Sequence, residues 1–162
     1  MTKNTTMTTL RFVMMLLVSC ISLAAVAQGG QEADRRRNFN TENDVAMREW
    51  DPVSYFQGKP AKGDTKFQYR HKAIVYYFVN QANMDEFKKS PGKYEPMYGG
   101  FCAYTVAQNG DRVKVNPTTY KIYDGRLYLF YNFGGDNRLI KWSKDEKKLK
   151  GDADKNWLKK MH

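Results

Sequence analysis

At 162 residues the chain has room for one domain of ordinary size plus a targeting segment. Its 27 Lys and Arg stand against 17 Asp and Glu, a formal charge of +10, which fits a solvated basic surface or a negatively charged partner: nucleic acid, an acidic ligand or a membrane surface. With only two histidines, His71 and His162, no Ser-His-Asp set can be assembled, and neither a P-loop nor a Gly-x-Gly-x-x-Gly stretch is present, so no enzyme is expected; a thiol-dependent activity of Cys102 beside His71 is the one catalytic alternative left open.

The compartment narrows the partner. Residues 1–27 read as a secretory signal: Lys3 and Arg11 form the positive region, residues 12–26 an uncharged apolar run, and Ala25-Val26-Ala27 a small-residue cleavage site before Gln28. The run is shorter than the ~20 residues a transmembrane helix needs, and no other segment is apolar enough to span a bilayer. Leu17-Val18-Ser19-Cys20 also resembles a lipoprotein box, with Cys20 lipidated, although the apolar run continues past Cys20. Either route exports the protein, to the periplasm or beyond, which argues against nucleic acid. Cleavage before Gln28 removes Cys20 and leaves Cys102 as the one cysteine, so no internal disulfide can form.

Residues 28–44 are polar, with Arg35-Arg36-Arg37 among them, and read as a flexible leader. Residues 45–162 form the expected domain. Asp51-Pro52 suggests a cap followed by a first-turn proline. Residues 67–69 and 73–79 read as two strands, the second rich in β-branched and aromatic residues, with a turn at Arg70-His71-Lys72. Asn80 caps a helix carrying Met84 and Phe87 on one face, stopped at Ser90-Pro91. Residues 91–100 are dense in Pro, Gly and Tyr.

Residues 101–107 read as a strand closed by the turn pair Asn109-Gly110, and 112–115 as another short strand. Alternation along the first places Cys102, Tyr104 and Val106 on one face. Residues 120–123, Asp124-Gly125 and residues 126–131 make a hairpin with a type I′ turn. After Gly134-Gly135, residues 139–150 and 153–161 have helical composition rich in Lys. The expected class is α+β: a small antiparallel sheet of hairpins, short helices packed on it, and a helical final segment.

Several of these pieces resemble the YHS-domain proteins, in particular an exported bacterial branch. They are Asp51-Pro52-Val53-Ser54-Tyr55-Phe56, Tyr76-Tyr77-Phe78 with Asn83 and Phe87, the run from Lys93 through Tyr98-Gly99-Gly100-Phe101-Cys102-Ala103-Tyr104, Leu127-Tyr128-Leu129, and Ala153-Asp154-Lys155-Asn156-Trp157. The resemblance implies a small module of a kind discussed as binding heavy metals. Its members carry cysteines where this chain has Ser54, and His or Cys then Ser where it has Val79 and Asn80.

Cys102 is the sharpest chemical candidate, since thiolate is the soft ligand that copper(I) and zinc prefer. Met97, Met84 and His71 are candidate companions, although Arg70 and Lys72 beside His71 disfavour a bound cation. Tyr94, Tyr98, Gly99, Gly100 and Tyr104 are candidate pocket residues around the thiol. The plainer alternative makes Cys102 a small apolar core residue, the tyrosines packing groups, and Gly99-Gly100 a place where backbones approach closely. Two functions are expected: a binding module for a metal ion or small ligand centred on Cys102, or a non-catalytic structural or interaction protein whose basic surface meets an acidic partner at the cell envelope.

Overall fold

A computed structural model describes residues 29–161; the expected signal segment, Cys20 and His162 lie outside them. The chain divides into two compact units at residues 34 and 35. Of the first, residues 29–34 are described and are helical. Among the described residues, the two hydrophobic clusters are formed by side chains of the second, residues 35–162. The fold is α+β, with small sheets of mostly antiparallel strands.

The part of the polar stretch that belongs to the second unit is helical to residue 37 and leads into a small sheet. Strands β1 (Thr41–Glu42) and β2 (Val45–Ala46) pair antiparallel. β3 (Asp64–His71) and β4 (Ile74–Phe78) follow as a hairpin, and β2 adds to β4 in parallel, giving the order β1-β2-β4-β3. Ile74, Tyr76 and Phe78 are buried and alternate with half-buried Val75 and Tyr77, as one covered face requires. The turn falls at Lys72 and Ala73, both at positive φ, so His71 closes β3 opposite Ile74 instead of occupying the turn.

Helix α1 (Gln81–Lys89) starts where expected: the Asn80 side chain accepts from Asn83 N–H, and Lys88 and Lys89 sit in the last turn, where the helix dipole favours cations. It buries Met84 and Phe87 against the sheet. Short α2 (Pro91–Tyr94) leads through a tight turn, Met97–Gly100, to Cys102.

Here two expectations fail. Residues 101–107 are not a strand; Ala103–Asn109 forms helix α3. Ala103, Val106 and Ala107 are all buried, at helical spacing. Asn109-Gly110 is accordingly a helix end with Gly110 in the left-handed region, not a hairpin. Residues 112–115 run extended but join no strand ladder.

The second hairpin, β5 (Asn116–Tyr123) and β6 (Arg126–Phe130), turns at Asp124-Gly125, both at positive φ as a type I′ turn needs. β7 (Asn132–Phe133) and β8 (Asp136–Asn137) form a two-residue ladder around Gly134-Gly135. Helices α4 (Arg138–Trp142) and α5 (Glu146–Met161) complete the unit.

β6 divides the interior. Leu127 and Leu129 face a first cluster with Tyr76, Phe78, Phe87 and Cys102. Tyr128 and Phe130 face a second, with Val106, Trp142 and Ala153. Its continuous Leu-Tyr-Leu-Phe run fits a strand covered on both faces.

Candidate functional site

Asp51, Ser54, Val79 and Asn83 form a buried hydrogen-bond hub. Asp51 is fully enclosed. Its Oδ1 accepts from Val53 N–H at 2.8 Å and Ser54 N–H at 3.3 Å; its Oδ2 accepts from Val79 N–H at 3.0 Å and Asn83 Nδ2 at 2.6 Å. Four donors thus meet the two oxygens, as burial of a carboxylate demands. Ser54 Oγ donates to the Asp51 carbonyl at 2.6 Å and accepts from Ala61 N–H at 3.1 Å. Ser54, Val79 and Asn80 are therefore all engaged in holding the 51–61 turn against β4 and α1.

Cys102 is fully buried and free. Its N–H donates to the Val113 carbonyl, its carbonyl accepts from Val106 N–H, and it bridges Leu129 of β6. Arg138 adjoins the thiol, donates to Asp136 Oδ2 at 3.0 Å and to Thr105 Oγ1, and stacks over Tyr131 at 4.5 Å. Burial alone would lower the Arg138 pKa, but Asp136 and the thiol together raise it. A fixed guanidinium at this spot opposes a metal cation.

Of the other candidate ligands, Met84 belongs to the same cluster as Cys102, whereas Met97 packs on the second. His71 stacks on Tyr69 at 6.4 Å and meets Phe87 of the first cluster edge-on at 6.2 Å. Burial chiefly lowers its pKa, Glu95 works against this, and Arg35 and Lys72 reinforce it. Among the described residues no group of three or more His, Cys, Asp and Glu could hold a metal ion.

The candidate pocket residues have partners of their own. Tyr94 donates to Glu86 and meets Phe56 edge-on at 5.1 Å. Tyr98 donates to Asp154 Oδ1 at 2.9 Å and contacts Trp157. Burial first, then that bond, push its hydroxyl far above the ordinary tyrosine range. Tyr104 packs against both clusters. At Gly99, φ is +61° and a Cβ would lie 1.9 Å from the Asn38 carbonyl oxygen. Asn40 N–H donates to the Gly99 carbonyl at 2.8 Å, and its side chain to that of Gly100 at 3.0 Å. The backbone that needs these glycines is the chain's own.

Two groupings carried no sequence signal. Glu95 accepts from the Tyr76 hydroxyl at 2.7 Å and pairs with Arg35, 60 residues away. Asn156 donates to the Val106 and Ala107 carbonyls at the end of α3, clamping α5 there.

The surface offers more than the interior. Residues 138–161 hold nine Lys and Arg against four Asp and Glu. Lys148, Lys150 and Lys160 pair with Asp152, Asp154 and Asp111. Lys144, Lys147, Lys155 and Lys159 are exposed and form no ion pair among the described residues. A depression of about 540 Å³ beside α4 is lined by Asp136, Ile140, Lys141 and Lys144. Another of about 440 Å³, between Glu42, Arg48, Glu49, Lys62 and Tyr77, is mixed in charge. Among the described residues no helix is long and apolar enough to cross a membrane.

No protein-family model matches the chain, and no curated protein or solved structure matches it either.

Proposed function

We propose that this is an exported, YHS-like interaction module without catalytic activity, which meets an acidic partner at the cell envelope through the basic surface of α4 and α5. The observation that carries this reading is the set of exposed, unpaired lysines at 144, 147, 155 and 159, on a segment with five more positive than negative side chains. Net charge of one sign on one element steers and holds a partner of the other sign. Capture of copper or zinc, or of a small ligand, by Cys102 draws less support, because the thiol is enclosed and adjoins a guanidinium while Met97 packs on the other cluster.

The test is retention of residues 28–162 on immobilised polyglutamate. Wild type should be held at low salt and released as ionic strength shrinks the screening length to ~10 Å and below. Changing Lys144, Lys147, Lys155 and Lys159 to Glu should abolish retention, and Cys102→Ala should not. A wild-type protein that passes unretained at low salt refutes the reading.

A further inference from the structure

We propose that the exposed face of α5, centred on Leu158 and Met161 and flanked by lysines, docks on the surface of an anionic phospholipid bilayer. The inference rests on the basic-surface reading above and names its partner. Leu158 is 61% exposed and Met161 48%; with Ile140 they are the large hydrophobic side chains most open to solvent among the described residues. The two are three positions apart on the helix; Leu158 lies opposite buried Leu149, and Met161 lies between the two faces. Lys155 and Lys159 lie along one side of Leu158, and Lys147 lies on its face three turns earlier.

Two protruding apolar groups beside exposed lysines match an interfacial helix, whose apolar tips enter the headgroup boundary while lysines reach for phosphates. Asp154, one turn before Leu158 on the same face, is paired with Lys150. A headgroup layer offers phosphates to the lysines and an apolar boundary to the two side chains at once, which an acidic protein surface does not. The helix is held to the rest of the unit by Asn156 on the α3 carbonyls and by Tyr98 on Asp154.

The experiment compares residues 28–162, the product of the expected cleavage, with a Leu158→Gln, Met161→Gln double variant. Both changes are on exposed side chains and leave the charge untouched, and matching thermal unfolding curves confirm the fold. Sedimentation with phosphatidylglycerol-containing vesicles should show binding by wild type and roughly a tenfold or greater loss in the variant, from the apolar area withdrawn. Pure phosphatidylcholine vesicles should bind neither, and both proteins should bind polyglutamate alike. Equal vesicle binding by the two proteins would overturn the proposal, since charge alone would explain it. Polyglutamate binding without vesicle binding would overturn it while leaving the broader interaction reading intact; failure on both would sink both. A dimer that the double variant dissolves, with no vesicle binding, would assign the face to a second copy and overturn it too.

Discussion

Asp51→Asn is the most informative single change in this protein. The carboxylate accepts two hydrogen bonds on each oxygen inside a fully buried site. An amide keeps one oxygen, which can still serve Val53 and Ser54. Its NH2 then faces two other donors, Val79 N–H and Asn83 Nδ2, at distances of 3.0 and 2.6 Å. Turning the Asn83 amide over relieves one of these, and the Gln57 amide that now donates to Asn83 Oδ1 at 2.9 Å is exposed and can turn with it or meet water. One buried donor, Val79 N–H, is left unmet. At about 1–3 kcal/mol for such a group, the variant should lose stability on that scale. That is a sizeable share of the ~5–15 kcal/mol of an ordinary domain. Urea unfolding of residues 28–162, followed by tryptophan fluorescence, measures it. A loss under ~1 kcal/mol would refute the hub.

Three further outcomes are expected. In residues 28–162 the Cys102 thiol should react with a colorimetric disulfide reagent at least roughly a thousandfold more slowly than in urea, because reaction must await opening; free-thiol rates would mean a solvent-connected site. Tyr98→Phe should destabilise by about 1 kcal/mol through the lost bond to Asp154, whereas Tyr128→Phe should be neutral or stabilising, since that buried hydroxyl has no partner among the described residues; the reverse order in melting experiments would contradict this packing. His71, with a pKa held below its ordinary 6.5, binds its proton more readily when unfolded. Its contribution is thus present above pH 6.5 and is lost as pH falls through the depressed folded value. His71→Gln should flatten the stability profile just below pH 6.5 and leave unchanged the acid loss from carboxylates such as Asp136 and Asp152, whose pKa values are also lowered but which titrate further down.

Local chemistry made much of this fold legible. The Asp124-Gly125 turn, the Asn80 cap and the β-branched run at 74–78 each follow from a rule acting within a few residues, and each holds. Residues 101–107 misled because Thr105, Val106 and two aromatics suit a strand, while burial of Ala103, Val106 and Ala107 has the helical period. Asn109-Gly110 serves hairpin and helix end equally, since both need a positive φ. The parallel pairing of β2 with β4 and the Glu95–Arg35 contact join distant segments, so no local pattern announces them. The candidate site fared similarly. Composition singled out Cys102 and its glycines, but only the fold shows the thiol walled in and the glycines receiving residues 38–40.

The strand β6 has a consequence for how the domain comes apart. Its side chains are shared between two interiors that have few other members in common, so neither interior can melt and leave the other intact. Loosening α4 would strip Trp142 from Tyr128 and Phe130, and the released strand would carry Leu127 and Leu129 away from the far side. Heat should therefore be absorbed in one calorimetric transition, and damage at the Asp51 turn should weaken the grip on α5 across the whole width of the molecule.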